Sequence, residues 1–456
     1  MELGLSFQPG AVESGYLSWP LLPEPFPKSF PGVKTSRDDL VVDIDKERLT
    51  SRMEQYFDPE LSDSEVHALM PSAMTDAARF NARETRRYLV QRGFKPEKIV
   101  RYCYRPLDNR WLCWEPETKL LDEKRSEYFH HVFEGNVWLS AGQRNRKDAF
   151  YQPQVTTLLA DHHLVESNVG MFPLYLQPAK SNEGLFTEGP RPNLTRNASE
   201  WLARQASEAA DLLFHCVAIT HASRYRRGNA GALRQDWPRI PLPNSREALA
   251  QSAELGKPLA GLLDPDTPVE SVTAGKPRAE LGTVAVVSRE GGGALDPDAG
   301  DLDVTAGWGH RGKGGAVMPA KGRVIERGYN PEERAALLAG TAQLGLSERQ
   351  TFELVGERTF DVYLNDRAYW RNIPVRVWEY TIGGYQVIKK WLSYREREIL
   401  GRGLTMGEAR DATGIARRIA AILLLGPELD ANYAAIKSAA FAWPRPKGAN
   451  TPDVPE

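Results

Sequence analysis

The sequence predicts an α+β fold of mixed helices and short, mostly antiparallel sheets, and three patterns support this class. Apolar residues recur at helical spacing after Asp45 and again between residues 331 and 440. Between Ile99 and Val165, short apolar runs are separated by polar turns, which is typical of strands. Residues 264–328 are rich in glycine and aspartate and poor in bulky apolar side chains, which predicts a β-rich insertion with glycine loops.

The N-terminal stretch combines prolines with aromatic residues from Tyr16 to Pro31, so it predicts an extended arm that docks on another surface. Asp38 to Asp45 alternates like a short strand, and Asp45 is a candidate cap for the helix that follows. A basic helical stretch at about Ser72–Arg92 ends at Gly93; we expect a solvated face, with a phosphate-facing stripe as the alternative.

The rest of the chain predicts helices at Trp201–His221 and at Ser245–Leu255, the second ending at Gly256. An extended segment at Trp237–Pro243 lies between them. The expected division is an arm and helical connector (1–98), a core (99–263), the glycine-rich insertion (264–330) and a C-terminal α/β and helical part (331–456). In the last part we expect helices at Pro331–Leu344 and Ser347–Val355, strands at Thr359–Leu364 and Val375–Thr381, and a helical block from Tyr385 to Ala440.

Composition excludes several classes of protein. The chain has 456 residues, and no apolar run approaches the ~20 residues of a membrane span, so we expect no membrane partner. Lys and Arg number 58 against 60 Asp and Glu, which argues against binding nucleic acid by bulk charge but leaves a local basic face possible. The three cysteines form no CxxC pair, which favours a reducing cytoplasm and argues against a zinc site.

Several catalytic motifs are present only in part. The run Gly307–Lys313 has the spacing of a phosphate-binding loop, but Gly314 follows where a hydroxyl should meet magnesium. Adjacent histidines at 130–131 and 162–163 offer one ligand each on a strand, so we expect no metal site. Asp108, Glu117 and Lys119 resemble the acidic pair and lysine of a magnesium-dependent nuclease, and this remains one alternative function.

Five stretches stand out in order along the chain: Gly32–Leu40, Tyr104–Trp111, Phe172–Leu176, Trp237–Pro243 and Ile382–Leu392. They resemble the C-terminal specificity region of type ISP restriction-modification enzymes, and the Gly-Gly-Tyr-Gln-Val block of the last stretch is the most specific of them. The family's histidine and tyrosine survive only loosely in Thr220–Arg227.

The resemblance implies a DNA target recognition domain whose partners are double-stranded DNA and the methyltransferase and motor domains of the same system. It implies no cofactor in this chain, since S-adenosylmethionine, ATP and magnesium belong to the nuclease, motor and adenine methyltransferase parts, whose motifs are missing here. The chain would then be a piece of a longer polypeptide or one part of a split system.

The residue types in two segments support DNA contact independently of the resemblance. Arg can bind guanine with two hydrogen bonds, Gln and Asn can bind adenine, and Lys can neutralise a phosphate. For the first segment a polar surface loop remains the alternative, and for the second, charges that complement a helix dipole. The candidate DNA-binding residues are Asn136, Gln143, Arg144, Asn145, Arg146 and Lys147 in the first segment, Arg224, Arg226 and Arg227 in the second, and Lys389 in the Gly-Gly-Tyr block.

Sequence-specific DNA binding is therefore the expected function. A nuclease and a protein-interaction scaffold that uses the arm at Tyr16–Phe30 remain the alternatives.

Overall fold

The computed structural model describes residues 12–144, 150–165, 169–178 and 189–444. Within them, helices are distributed along the chain, and the two longest, α10 and α17, have 18 and 19 residues. The α-helices are α1 (Asp38–Val41), α2 (Lys46–Phe57), α3 (Asp63–Leu69), α4 (Ala82–Arg92), α5 (Ser126–Phe129), α6 (Arg196–Arg204), α7 (Ala209–His221), α8 (Ser223–Gly228), α9 (Ala230–Leu233), α10 (Arg246–Leu263), α11 (Ala279–Gly282), α12 (Pro331–Gln343), α13 (Glu348–Val355), α14 (Val375–Trp378), α15 (Val387–Ser393), α16 (Arg397–Leu400), α17 (Met406–Leu424) and α18 (Gly426–Ser438).

The strands are short and pair almost entirely antiparallel, which confirms the predicted α+β class. Three four-stranded sheets have the orders β1-β8-β5-β6, β2-β4-β3-β7 and β11-β16-β15-β14, and three further hairpins pair β9 with β10, β12 with β13 and β17 with β18. The strands are β1 (Phe30–Pro31), β2 (Val42–Asp43), β3 (Ile99–Arg105), β4 (Asp108–Cys113), β5 (Trp138–Gly142), β6 (Val155–Thr156), β7 (Leu159–Ala160), β8 (Val169–Pro173), β9 (Tyr175–Leu176), β10 (Arg191–Pro192), β11 (Val286–Arg289), β12 (Gly309–Arg311), β13 (Val317–Pro319), β14 (Val324–Gly328), β15 (Arg358–Tyr363), β16 (Ala368–Pro374), β17 (Thr381–Ile382) and β18 (Tyr385–Gln386).

The N-terminal arm docks on the chain's own core. Trp19 and Phe26 are buried, and backbone hydrogen bonds join the arm to the extended segment at Trp237–Pro243. Ile240 N donates to Pro20 O at 2.9 Å, and Leu22 N donates to Pro238 O at the same distance. The aromatic side chains that a partner would need are thus already buried, so the scaffold alternative loses the feature on which it was based.

Helices α7 and α10 cross closely at a glycine. A Cβ added at Gly256 would lie 1.8 Å from the carbonyl oxygen of Phe214, so only glycine fits at this crossing. The prediction that α10 ends at Gly256 is wrong, because the helix continues to Leu263 with Pro258 inside it. The glycine is needed for packing between helices rather than for a C-terminal cap.

Other sequence predictions need correction at their boundaries. Asp38–Asp45 is a single turn of helix followed by a two-residue strand, and the expected helix at Ser72–Arg92 consists of a 3-10 turn and then α4. The expected helix at Trp201–His221 is two helices, α6 and α7. The expected strand at Val375–Thr381 is wrong, because Val375–Trp378 form helix α14 directly after strand β16, and only Thr381 belongs to a strand, β17.

The glycine-rich insertion contributes to the interior despite its composition. Leu302, Val304 and Trp308 are buried, and the main hydrophobic core is continuous from Tyr16 to Trp443. Because these parts share one core, the core does not mark the boundaries between them, and the four-part domain division stays a prediction.

No single helix among the described residues is long and apolar enough to cross a bilayer. Helices α17 and α18 together meet the criteria of length and composition, but they form a pair bent by 41°.

Candidate nucleic-acid interface

The first candidate segment forms the connection between antiparallel strands β5 and β6. Trp138 pairs with Thr156, and the connection closes at Ser140, whose backbone N–H donates to Gln154 O at 2.8 Å. Gln143 and Arg144 leave the end of β5 with exposed side chains. We call residues 143–152 the β5–β6 loop. The candidates Asn145, Arg146 and Lys147 belong to this loop and lie outside the described residues.

Asn136 is buried and stabilises the fold, so it is not part of the exposed surface. Its side chain is fully buried, and its Nδ2 donates to the carbonyl oxygens of His131 and Tyr175 at 2.8 and 3.0 Å. Its Oδ1 accepts from the backbone N–H groups of Val137 and Tyr175, both at 3.0 Å. All of the amide's hydrogen-bonding capacity is used, so this geometry removes Asn136 from the candidate base contacts.

The start of the β5–β6 loop is held from a neighbouring segment. Gln143 Nε2 donates to Asp236 Oδ1 at 3.3 Å, and the same oxygen accepts from Trp237 N at 2.9 Å. Trp237 in turn packs edge-on against Phe172, with the ring centroids 5.3 Å apart. The first anchor of the loop is therefore tied to an aromatic pair in the core.

The end of the loop is held by Arg226 and Tyr380. When the Gln152 amide is oriented so that its oxygen faces the guanidinium, Arg226 Nη2 donates to it at 3.1 Å and its nitrogen donates to the Tyr380 hydroxyl at 3.0 Å. Burial lowers the pKa of Arg226 and raises that of Tyr380 to about 12. Arg226 thus points inward, and its guanidinium positions the loop instead of facing a phosphate.

The remaining basic candidates lie on two helices, Arg224 and Arg227 on α8 and Lys389 on α15. Arg224 and Arg227 on α8 are exposed beside Asp430, whose Oδ1 accepts from Arg224 N at 2.7 Å; Arg227 Nη2 lies 4.0 Å from Asp430 Oδ2. The two guanidinium groups therefore remain largely open to solvent. Lys389 on α15 is half-buried, and no described hydrogen bond joins it to the loop or to α8.

The nuclease constellation does not assemble among the described residues. Asp108 is buried between Arg110 and Arg395, and although burial raises the pKa of its carboxyl group, the attraction of the two guanidiniums outweighs it and lowers that pKa. Glu117 is exposed and pairs with Tyr88 and Arg92, whereas Lys119 donates to a backbone oxygen within its own loop. Because its oxygens are occupied by arginines, Asp108 does not offer a magnesium ligand.

No group of three or more metal-ligating side chains occurs in the part of the chain that the structure describes.

The anchoring residues of the loop were missed at the sequence level. Gln152 and Asp236 are single polar residues without any motif, and Tyr380 lies more than 220 positions from Gln152 in the chain. No spacing rule connects them, since their proximity depends on the packing of four separate segments. Arg226 was singled out for its charge, but the sequence does not show that its side chain points inward.

The comparisons with known proteins agree with this fold. The family model described as Type ISP C-terminal specificity domain matches residues 24–291 and 323–413. A search of curated proteins finds no match.

Three solved structures share the fold. A nuclease-deletion mutant of the Type ISP restriction-modification enzyme LlaGI in complex with a DNA substrate mimic matches with a TM-score of 0.53 and 16% identity over 92% of this chain. A DrdV–DNA complex matches with 0.54 and 16% over 89%. The ATP-dependent Type ISP enzyme LlaBIII bound to DNA matches with 0.57 and 14% over 92%. The chain spans 34%, 36% and 24% of the lengths of these proteins, respectively.

Proposed function

Because the chain belongs to the Type ISP C-terminal specificity domain family, we propose that it binds double-stranded DNA and selects the target sequence for other domains of the same system. DNA is bound in the three solved structures that share the fold. The described residues of this chain support the same role.

The observation that carries the proposal is the anchoring of the β5–β6 loop at both ends. Gln143 is held by Asp236 at the start of the loop, and Gln152 is held by Arg226 and Tyr380 at its end. A loop that reads bases gains affinity when it is ordered before binding, because less conformational entropy is then lost in the complex. Binding residues lie disproportionately on loops that a rigid scaffold positions.

The loop also carries the side chains that base recognition requires. Arg144 is exposed at the strand end, where a guanidinium can donate two hydrogen bonds to guanine O6 and N7. Gln143 could exchange its long 3.3 Å bond to Asp236 for the N6 and N7 edge of adenine. Asn145, Arg146 and Lys147 follow in the sequence, and their side chains are of the types that bind adenine, guanine and phosphate.

Phosphate contacts would complete the docking. Arg224 and Arg227 lie on the helix whose third arginine, Arg226, anchors the loop, so their exposed guanidinium groups are in a position to flank it. Lys389 remains a further candidate. Methyl transfer, translocation and cleavage, with their S-adenosylmethionine, ATP and magnesium, would be supplied by methyltransferase, motor and nuclease domains of the same system.

Selection from a pool of random duplexes tests the proposal. The purified chain should enrich one sequence motif, and binding to that motif should weaken as salt rises. The Gln143→Ala and Arg144→Ala variants should lose preference at one or two positions of the motif, by about 1–3 kcal/mol at each.

A double variant with the same change in charge provides the control. Gln55 and Arg87 are exposed on helices α2 and α4, so replacing both by alanine should leave the enriched motif unchanged. The absence of any enriched sequence for the unaltered chain would contradict the proposal.

A further inference from the structure

One segment of the glycine-rich insertion is locally basic. Residues 304–325 contain no aspartate or glutamate, although the whole chain has a net charge of −2. Over the same residues the sequence contains His310, Arg311, Lys313, Lys321 and Arg323. The segment is therefore a local basic island in a chain that is nearly neutral overall.

Residues 309–319 of this island form an antiparallel hairpin of β12 and β13, and Lys321 and Arg323 follow it in the connection to β14. His310 pairs with Met318 and Arg311 pairs with Val317, and a short 3-10 turn that includes Lys313 connects the strands. The five basic side chains are exposed. Arg323 pairs with Asp366 at 2.6 Å, but no described carboxylate lies within ion-pair distance of the other four.

The base of the hairpin is rigidly held. Trp308 is fully buried, its indole Nε1 donates to Tyr363 O at 2.8 Å, and its backbone N–H donates to Glu396 Oε2 at 2.6 Å. A Cβ on Gly309 would lie 2.1 Å from Ser393 O, so the strand is pressed against helix α15. Lys390 on the same helix donates to Val317 O at 3.1 Å.

The hairpin shares its support with the β5–β6 loop. The rings of Trp308 and Trp378 meet edge-on at 5.5 Å, and Tyr380, two residues beyond Trp378, contacts Gln152 at the end of the loop. Val387 N donates to Tyr380 O at 3.1 Å, which joins this segment to α15. The hairpin and the end of the β5–β6 loop thus both contact the segment from Trp378 to Lys390.

The hairpin is also outside the part of the chain that resembles the family. The family model matches up to residue 291 and resumes at residue 323, so it skips the hairpin. A cluster of exposed basic side chains raises the local concentration of anions. Because the hairpin and the β5–β6 loop share one support, an anion bound at the hairpin would be held by the same part of the fold as the loop.

We propose that this hairpin is a second DNA contact, which binds phosphates of the duplex beside the sequence that the β5–β6 loop reads. The inference rests on the proposed function and adds to it a site for the sugar-phosphate backbone. A two-stranded ribbon has the dimensions of a DNA groove, and the glycines around it let its backbone approach closely. A lipid surface fits less well, because the large apolar side chains exposed on the island are Met318, Val324 and Ile325, with no aromatic residue among them.

A triple variant, Arg311→Ala with Lys313→Ala and Lys321→Ala, tests the inference. Each phosphate contact contributes about 0.9 to the slope of log affinity against log salt. The variant should lower that slope by about 2–3 and weaken binding to target and random duplexes by the same factor, about tenfold or more at physiological salt. The enriched sequence motif should stay the same.

A matched triple variant controls for charge. Arg246, Lys257 and Lys276 are exposed, and their replacement by alanine should leave the slope within experimental error. Equal thermal unfolding of both variants and the unaltered chain would show that the fold is intact.

The outcomes separate this inference from the proposed function. If the unaltered chain selects a sequence but the hairpin variant keeps its salt slope, the inference is overturned and the proposed function stands. If the hairpin variant binds DNA normally and instead loses a methyltransferase or motor domain of the system, the partner is a protein, which also overturns the inference. If the unaltered chain has no affinity for duplexes, both fail.

Discussion

Arg395 Nη2 lies 2.9 Å from Asp108 Oδ1, and this buried ion pair joins two segments that are 287 positions apart in the sequence. The second carboxylate oxygen accepts from Nε and Nη2 of Arg110 at 3.1 and 2.7 Å. Asp108 belongs to one of the stretches that carry the family resemblance, and Arg395 lies three residues after another. Part of the sequence pattern that resembles the family therefore holds two buried segments together and does not contact DNA.

Asp108→Asn should destabilise the protein strongly. The change keeps the volume but leaves two buried guanidinium groups without a compensating charge, which typically costs about 3–5 kcal/mol. Urea unfolding monitored by tryptophan fluorescence would measure the loss of free energy. Because attraction to the arginines lowers the pKa of Asp108 below its unfolded value, its contribution is present above about pH 4 and is lost only as pH falls through the lower folded-state pKa.

An exposed pair provides the comparison for Asp108. Asp366 pairs with Arg323 at 2.6 Å, but 95% of its side chain is exposed, so water screens the interaction. Asp366→Asn should leave the unfolding midpoint close to that of the unaltered chain. A midpoint for Asp108→Asn equally close to it would show that the buried triad contributes little to stability.

The sequence predicts structure well where a local signal is sufficient. Helix α2 begins where Asp45 was expected to cap it, and the Asp45 side chain does accept from Arg48 N at 3.1 Å. The predictions fail where packing overrides a local signal. Gly256 resembles a helix stop in sequence, but the approach of Phe214 explains the glycine. Val375–Trp378 was assigned to a strand, and three of its four residues are β-branched or aromatic, but strand β16 ends at Pro374 and a helix follows.

Gly256→Ala should destabilise the crossing of α7 and α10. In an isolated helix alanine is favoured over glycine by about 1 kcal/mol, but here the added methyl group would overlap the Phe214 carbonyl. The steric cost exceeds this gain in helix propensity, because a backbone atom cannot move aside as a side chain can. We expect a lower thermal unfolding midpoint.

The same helix contains a control for Gly256. A Cβ on Gly261 would meet Val269 and Thr267 at 3.6 and 3.7 Å, which are ordinary contact distances. Gly261→Ala should therefore leave the midpoint unchanged or raise it. If both variants behaved alike, helix propensity rather than the crossing would determine the effect.

Stability should fall as the pH decreases from 7.5 to 5.5, because two histidines of α7 are buried. Burial lowers the pKa of His215 to about 4 and that of His221 to about 3, both below the value of about 6.5 in an unfolded chain. Between these values the unfolded state binds more protons, so acid favours unfolding. Each histidine should cost about 1 kcal/mol over this interval, measured from urea midpoints at the two pH values.

His215→Gln should remove about half of this pH dependence. His215 Nε2 lies 2.9 Å from Pro241 O and Nδ1 lies 2.7 Å from Ser252 Oγ, so the neutral ring can donate to the first and accept from the second. The substitution lowers stability at every pH, but the difference between pH 7.5 and 5.5 is the quantity of interest. Replacing the exposed His67 by glutamine should leave that difference as it is.

The candidate DNA surface was predictable as a segment but not as individual contacts. Charge and glycine content selected the β5–β6 loop and the arginines of α8, since both properties are visible in the sequence. Burial is not visible there, and it separates Asn136 and Arg226 from Arg144 and Arg227. Residues of one type and one segment therefore have different roles according to the direction of their side chains.

Arg226→Met should weaken binding to the target sequence by about tenfold while leaving binding to random duplexes within about twofold. The guanidinium fixes Gln152, so its loss disorders the end of the loop without removing a phosphate contact. Arg227→Ala on the same helix should act in the opposite way, lowering affinity for all duplexes and reducing the salt slope by about 1. Titrations of target and random duplexes at three salt concentrations separate the two behaviours.

A double-mutant cycle tests whether Arg226 acts through Gln152. If the arginine works by holding the amide, Gln152→Leu alone should reproduce the loss of target affinity, and the double variant should lose little more than either single one. Tyr380→Phe removes only the hydroxyl at 3.0 Å from Gln152 and should give a smaller loss in the same direction. Additive losses from Arg226→Met and Gln152→Leu would mean that the two side chains contact DNA independently, and the anchoring of the loop would no longer support its role in recognition.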